Sequence, residues 1–505
     1  MVQQQFDRTF RLAERITGDS QEALQHKFGK ARVLIRGDAG YLGCPNGRVS
    51  LRAAVNMIVR FCPNIDLGME ESDVTTEAAA IVLAVQPDAD LRIVGSAFNA
   101  DNYDAVLSIG PGKSGPHSTV IASDGWRALV SSTREISGLE EVSSNALGAI
   151  AAACLGVADV FKRLLRPRPG RAVLFDAESL HLLRYVNGEG HAPPLPMDLR
   201  LPLTLLVGAG AVGNAFTFAL DELSRSGTRL SGALLVCDHD RMDFFGMNRH
   251  LLATFDDAAA KVPKVQIVAA ALEHAGVVPL AHFGQIESLA LGMRRGDFPT
   301  PPIVLCALDD NIPRHELQRL WPDVVLEGAT GDTTVQISRH EYESGFGCLM
   351  CIHPIRKSTS SFTYEEEMAR LTGLSPERIA TSNELLTEAE IPTEGGKYRD
   401  ILLSKVGKPI CSVLSSIEAL AEVPETVPPE PTVSFVSALA GCLLATEYLA
   451  YVAGIRSSLE TMFQLDLLFP LRNALLQPVL PVESCMCQLR KMEIADYRRL
   501  VGHRS

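Results

Sequence analysis

The stretch that decides the reading is "VGAGAVGN", Val207–Asn214. A run of strand-forming residues, "PLTLLV", leads into it, and a helix-like "AFTFALDEL" follows. It is a glycine-rich turn between a strand and a helix, with Gly208, Gly210 and Gly213 spaced G-x-G-x-x-G. The glycines let the backbone approach a phosphate, and the N-terminus of the helix stabilises its charge. Taken alone, the pattern suits NAD, FAD or ATP, and it also occurs as a plain structural turn.

The residues downstream discriminate. The next strand, "GALLVCD", ends at Asp238, where an acid can hydrogen-bond a ribose hydroxyl, which fits NAD or ATP. Then comes "CDHDRMDFFGMNRHLLATFDDAAAKVPKVQ", with Arg249 and Lys264. A dinucleotide enzyme has no standing need for these two cations, whereas a triphosphate does. They are placed to neutralise phosphates and a pyrophosphate leaving group. A later strand end, "VLCALDDNIPR", supplies Asp309 or Asp310 for a Mg²⁺ ion bridging phosphates. A single cation on a surface helix is ordinarily solvated, and an acid at a strand end ordinarily caps the next helix. The ordered set of glycine turn, ribose acid, Arg, Lys and metal acid lifts the ATP reading above these.

The chain has 505 residues, 46% hydrophobic and 21% charged, which predicts two or three domains with large cores. A net charge of -13 argues against nucleic acid or an anionic membrane as the main partner. "MVQQQFDRTF" has no apolar core of a secretory signal, so a cytoplasmic protein is expected. The most apolar run, "FVSALAGCLLATEYLAYVAG", carries Glu447 near its middle and reads as a buried core helix rather than a membrane span. Eleven cysteines suggest reduced thiols, metal ligands or a nucleophile, not a disulfide scaffold.

One pattern is written twice. "NALGAIAAACLGVADVFK" (Asn145–Lys162) and "SFVSALAGCLLATEYLAY" (Ser434–Tyr451) are small-residue helices, each with a cysteine and an acid five positions later: Cys154 and Asp159, Cys442 and Glu447. Upstream lie a strand and glycine turn, "ARVLIRGDAGYLGC" and "LTLLVGAGAVGN". "DAVLSIG" (Asp104–Gly110) corresponds to "PIVLCALDD" (Pro302–Asp310). The expected fold class is α/β, with two tandem Rossmann-like units joined by the loop "NGEGHAPPLPMD", Asn187–Asp198. The first turn reads Gly37, Gly40, Gly43, with one residue too many between its first two glycines for close phosphate approach. The first half is therefore a copy that has lost its nucleotide site.

At these residues the sequence resembles the ThiF/MoeB-type adenylating enzymes that activate ubiquitin and ubiquitin-like proteins, with their bacterial relatives in molybdopterin and thiamin synthesis. "CDHDRMDFFGMNRH" resembles the family's D-x-D-x-V-x-x-S-N-L-N-R-Q, which places Asp238 and Asp240 on the two acids, Asn248 on the second Asn and Arg249 on the Arg. "VPKV" is similar to G-x-P-K, with Lys264 on the phosphate-binding lysine. "CALDDNIPR" is similar to C-x-D-N-x-x-x-R. Counting back from Arg314 puts Asp309 on the metal acid, and matching the Asp-Asn dipeptide puts Asp310 there; we take Asp309. The chain departs from the family at Phe245-Gly246 and at His250. "FDRTFRLAERITGDSQEALQHKFGKARVLIRG" resembles the family's first segment, with Arg8 on an arginine that in that family crosses into the partner half's ATP site. The layout, with no ubiquitin-fold recruitment domain expected after Leu465, is closest to the fused inactive-plus-active enzymes of bacterial Bil-type antiviral defence operons.

Two close cysteine pairs, Cys348-x-x-Cys351 and Cys485-x-Cys487, can complete a tetrahedral thiolate site for structural Zn²⁺. The resemblance implies the same placement. Around "VGKPICSVLSS" (406–416), Lys405 and Lys408 are close enough in sequence to lower the pKa of Cys411. The family's attacking cysteine falls in this interval. Cys44, Cys62, Cys154, Cys237, Cys306 and Cys442 read as core.

The expected divisions are a degenerate adenylation domain (1–190), an active one (191–337 and 433–505, with the zinc-binding tail), and an insert carrying the catalytic cysteine (338–432). The expected activity is adenylation of a ubiquitin-like protein's C-terminus, then thioester formation on Cys411 and transfer to a conjugating enzyme. The chain would act as a monomeric pseudo-dimer, with no nucleic-acid or membrane partner. The alternatives are adenylation of a sulfur carrier without an enzyme thioester, or a catalytically dead nucleotide-binding scaffold.

Overall fold

The computed structural model describes residues 7–96, 98–115, 117–139, 145–167, 170–185, 192–354, 364–380, 384–392, 398–408, 410, 413–414, 417 and 432–502. The chain divides into two compact units, Met1–Pro354 with Pro431–Ser505, and Ile355–Glu430.

The larger unit contains two sheets. The first is built from β1 (Val33–Gly37), β2 (Asn64–Gly68), β3 (Asp90–Ile93), β4 (Ala105–Ile109), β5 (Ser118–Asp124), β6 (Arg127–Ser131) and β7 (Glu178–His181), in the order β3-β2-β1-β4-β5-β6-β7. The second uses β8 (Asp198–Val207), β9 (Arg229–Asp238), β10 (Val278–Phe283), β11 (Ile303–Cys306), β12 (Val324–Gly331), β13 (Thr334–Glu341), β14 (Met462–Asp466) and β15 (Leu475–Gln477), in the order β10-β9-β8-β11-β12-β13-β14-β15. In each sheet the first five strands of that order are parallel and the rest antiparallel. Strand for strand, β1–β7 match β8–β14. "DAVLSIG" and "PIVLCALDD" supply β4 and β11, which take the same place beside the central strand. Both strands are buried along their whole length, as strands covered on both faces must be.

Six helices carry the rest of the argument: α1 (Pro45–Ile58), α2 (Ala146–Leu165), α3 (Ala211–Arg225), α4 (Lys264–His274), α5 (Asn311–Gln318) and α6 (Ser434–Val452). α1 packs on α2, α3 packs on α6, and α6 also packs on α2. Alanine and glycine dominate α2, which lets its backbone come close to its neighbours, and apolar residues from both sheets and all four helices form one continuous core. α6 has the length and hydropathy of a membrane span, yet 89% of its apolar window is buried within the protein. It lies against α2, α3, β12 and β13.

The acid on each repeated helix has a comparable task. Asp159 accepts from Lys162 Nζ (3.0 Å), Ser132 Oγ (2.6 Å) and Phe175 N–H (3.2 Å). Glu447 accepts from Ser457 Oγ (3.0 Å) and the Tyr185 hydroxyl, and burial pushes its carboxyl above the ordinary value. Tyr185 comes from the first half, so this contact joins the halves. A second junction is the buried pair Arg52 on α1 and Glu222 on α3, in which Arg52 Nε donates to both carboxylate oxygens at 3.0 Å. Removing one partner of such a pair costs about 3–5 kcal/mol, because the other charge is left buried alone.

β13 runs through residue 338, which pairs with Glu327 on one side and Met462 on the other. The separate unit begins only at Ile355. Its helices include Tyr364–Thr372, Pro376–Ala380 and Arg399–Ser404. They enclose a small core of their own, with Met368, Leu374, Ile379, Leu386, Leu402, Ile410, Val413 and Ile417 buried. Residues 384–386 bond to 407–410, through Leu386 N–H to Lys408 O (2.8 Å) and Ile410 N–H to Glu384 O (3.0 Å). Cys411 and most of the Pro-rich exit, 418–431, lie outside the described residues.

Candidate functional site

The second sheet changes direction between β8 and β11, since β9 and β10 lie on one side of β8 and β11–β15 on the other. Ligands of open α/β sheets bind at such a switch point, beyond the carboxyl ends of the strands. "VGAGAVGN" sits there. The turn is held from both sides: Gly208 N–H donates to Cys237 O (2.9 Å) and Ala307 N–H to Val207 O (2.8 Å).

The three glycines have different jobs. Gly208 has φ +94°, and a Cβ on it would lie 2.4 Å from Ala307 O. A Cβ on Gly213 would lie 1.9 Å from Gly208 O, so this glycine lets α3 start directly against the turn. Gly210, the residue preceding α3, meets nothing within 4 Å. No side chain caps the start of α3, so the turn and this helix start form a cradle of the kind whose N–H groups bind phosphate.

Asp238 ends β9 and ties the turn down. Its Oδ2 accepts Ala209 N–H and its Oδ1 accepts Asp240 N–H, both at 2.7 Å. Burial raises its carboxyl above the ordinary value, against the pull of Lys264. Lys264, the first residue of α4, places Nζ 2.6 Å from Asp240 Oδ2. Burial works to raise the Asp240 carboxyl, but the charge and hydrogen bond of Lys264 hold it below its usual value. Asp238, Asp240 and Lys264 are thus brought together beside the cradle. Arg249 is half-buried in the same segment and donates to Asn248 Oδ1 at 3.4 Å. Asn248 is 1% exposed, and its amide donates to Thr432 O (2.9 Å), holding the segment to the start of α6. His250 is also buried, with Nδ1 2.7 Å from Gly246 O.

Asp309 and Asp310 follow β11 at the neighbouring strand end, and both are exposed. Asp310 caps α5 by accepting Ile312 N–H (2.8 Å). Asp309 has no such duty in α5. Its carbonyl and that of Leu308 are held by Arg314, at 3.5 and 2.6 Å. Arg314 is anchored by Glu327 (2.9 Å), which also meets His353 (2.7 Å) and Ser338 Oγ (2.9 Å). Arg8 lies half-buried on the helix Asp7–Thr17, and the same helix reaches the second half through Arg15 and Asp332 (2.9 Å).

The corresponding place in the first half is filled. The additional residue of its turn lets Asp38 accept Tyr41 N–H (2.8 Å) and cap a short helix, Ala39–Leu42. Tyr41 is 4% exposed and packs against Gly110 at the end of β4. Its hydroxyl accepts Ser123 N–H (2.9 Å) at the end of β5. Gly68 pairs with Arg36 as Cys237 pairs with Val207, so Met69 stands in the place of Asp238 and the acid is missing as well.

The four cysteines converge. Cys348 Sγ is 3.9 Å from Cys351 Sγ and 3.6 Å from Cys485 Sγ, and Cys351 Sγ is 3.6 Å from Cys487 Sγ. Four sulfurs bound tetrahedrally at about 2.3 Å from zinc stand at about this mutual separation. Val482 N–H and Gln488 Nε2 donate to Cys351 and Cys487, as donors around metal-bound thiolates do. Of the six cysteines expected in the core, Cys62, Cys154, Cys237, Cys306 and Cys442 are buried. Cys44 is not. It is half-buried, because the added turn leaves it at the exposed start of α1.

Two residues that shape the two switch points were not singled out from sequence: Tyr41 and Glu327. The signal for Glu327 was a charge inside an apolar run, "VVLEGA". Tyr41 had no such mark.

Comparison with known proteins gives two family matches. Residues 45–173 match the BilD N-terminal domain. The uncharacterized protein y4jF of Sinorhizobium fredii is 28% identical over 96% of this chain and 93% of its own. Among solved structures, MccB of E. coli is similar at 12% identity over 75% of this chain and 97% of its own, with a TM-score of 0.37. Its complex with N-formylated MccA gives 12% identity over 73% and 97%, with a TM-score of 0.36. Residues 198–479, more than half of the chain, match the ThiF family, and the chain belongs to that family of adenylating enzymes.

Proposed function

We propose that this protein activates a ubiquitin-like protein in two steps, using ATP. In the first, a C-terminal carboxylate oxygen of the carrier attacks the α-phosphorus of ATP. The bond from that phosphorus to the bridging oxygen breaks, and pyrophosphate leaves. The N–H groups at the start of α3 and the backbone at Gly210 receive phosphate oxygens. Arg249 and Lys264 offset the developing negative charge, with Arg8 added from the first half. Asp309 would hold Mg²⁺, which supplies further charge neutralisation when bound. In the second step, the thiolate of Cys411 attacks the carbonyl of the mixed anhydride, AMP leaves, and a thioester remains for transfer to a conjugating enzyme.

The observation that carries this reading is the contrast between the two switch points. Gly210 leaves one open beside Asp238, Asp240 and Lys264, while Tyr41 fills the other. Membership of the ThiF family and the match to a BilD N-terminal domain support it. The four-cysteine cluster would take zinc as a structural ion, because four thiolates leave no open position for catalysis. A cytoplasmic location belongs to the same proposal. The test is a thiol-sensitive adduct formed with ATP and a carrier ending in a free glycine. Cys411→Ala should retain adenylation and lose the adduct; an adduct that survives the substitution refutes Cys411 as nucleophile.

A further inference from the structure

We propose that Arg60, at the end of α1 in the first half, is a positioning residue for the nucleotide site of the second half. It would act by holding the segment 247–253 that carries Arg249. The proposal rests on the ATP-site reading above.

Arg60 is fully buried. Its guanidinium makes no carboxylate contact among the described hydrogen bonds. It donates instead to the carbonyls of Met247 (2.6 Å), Leu251 (3.0 Å) and Ala253 (3.1 Å), and through Nε to Asn56 Oδ1 (2.9 Å). Asn56 Nδ2 adds a second donor to Leu251 O (3.0 Å). Burial alone pulls the guanidinium down to about 9. A cation is costly in that position unless its donors are used; four of the five are used here, three of them on one segment of the other half.

That segment needs such support. Between the end of β9 and the helix Phe255–Ala259 the chain has no helix or strand to fix its path. Two further ties reach the turn's helix and the start of α6. Leu252 N–H donates to Asn214 Oδ1 (2.8 Å), on the first turn of α3, and Asn248 holds Thr432 O. Arg249 lies between the Met247 and Leu251 carbonyls that Arg60 grips. The planar fork of an arginine can hold several carbonyls at fixed angles, which a lysine ammonium cannot do. The first half, whose own switch point is filled by Tyr41, would thus remain necessary to the active half for this grip as well as for any contribution from Arg8.

The experiment compares the full-length wild type with Arg60→Lys, Arg249→Ala and the double variant. It measures ATP affinity, with amide hydrogen exchange of residues 247–253 as a second readout. The proposal expects Arg60→Lys to weaken ATP binding by about tenfold to a hundredfold. It expects faster exchange confined to the segment, and little further loss when Arg60→Lys is added to Arg249→Ala. Unchanged ATP affinity in Arg60→Lys, or a loss that multiplies fully with that of Arg249→Ala, overturns it. If Arg60→Lys does not fold, Asn56→Ala, which removes one donor to Leu251 O, carries the same comparison. If the wild type itself binds no ATP, the functional reading fails. The exchange of 247–253 then decides alone: faster exchange supports the grip, and unchanged exchange refutes it.

Discussion

Lys264 and Asp240 are joined twice: Lys264 Nζ lies 2.6 Å from Asp240 Oδ2, and Lys264 N–H donates to the Asp240 carbonyl at 3.0 Å. The backbone bond fixes where α4 begins. The side-chain bond holds the ammonium beside the glycine turn, without burying it beyond reach of a phosphate. Lys264→Ala should therefore lower carrier-dependent ATP–pyrophosphate exchange by about a hundredfold or more. The melting temperature should change little, since the backbone bond survives. Exchange that persists at the wild-type rate would reduce Lys264 to a structural partner of Asp240.

The glycines of the turn should separate in their effects. Gly213→Ala drives a Cβ to within 1.9 Å of Gly208 O and should destabilise the protein by about 3 kcal/mol or more, read as a lower unfolding midpoint in denaturant. Gly210→Ala meets nothing within 4 Å and has an ordinary negative φ, so the fold should hold. Nucleotide affinity should fall instead. A Gly210→Ala protein that binds ATP normally would mean the phosphates lie elsewhere.

Glu327 predicts an acid-side stability slope. Burial works to raise its carboxyl, but Arg314 and His353 pull it down to about 2 from 4.5. A folded-state value below the unfolded one adds stability that is fully present above about pH 4.5. That stability is lost as the pH falls through about 2. The amount is about 3 kcal/mol. Denaturant titrations between pH 5 and pH 2 should show this slope in the wild type and lack it in Glu327→Gln. The substitution should also loosen the Leu308–Asp309 carbonyls that Arg314 holds, and so reduce exchange activity. An unchanged slope would contradict the assignment.

The cysteine cluster predicts about one zinc per chain. Replacing Cys348 and Cys485 together should remove the metal and free the segment around Cys487 from the turn at Leu349–Ile352. Limited proteolysis should then cut the C-terminal region faster. A wild-type protein without zinc would refute the site.

Much of this arrangement could be read from sequence, because its signals are local. The glycine spacing located the turn, the runs "LTLLV" and "PIVLC" located β8 and β11, and the cysteine pairs marked a cluster that the fold closes from 136 residues apart. The doubled pattern anticipated two sheets with the same strand order. What escaped depends on contacts between distant segments. Asp238 could be placed at a strand end, but its bonds to Ala209 and Asp240 need the turn and strand folded together. Asn248 matched a motif, yet its amide is spent on Thr432, far along the chain. Whether Asp309 or Asp310 is the freer acid depended on which one caps α5. Tyr41 looks like any core tyrosine until β5 and Gly110 close around it.

The central claim is that the cradle at Gly210, Arg249 and Lys264 adenylates a protein carboxylate. It is tested most directly by ATP–pyrophosphate exchange in the presence of a ubiquitin-like protein with a free C-terminal glycine. The account predicts exchange that requires this partner, is lost in Arg249→Ala, and persists in Cys411→Ala. Absence of exchange with every such partner, or exchange undiminished in Arg249→Ala, would contradict it.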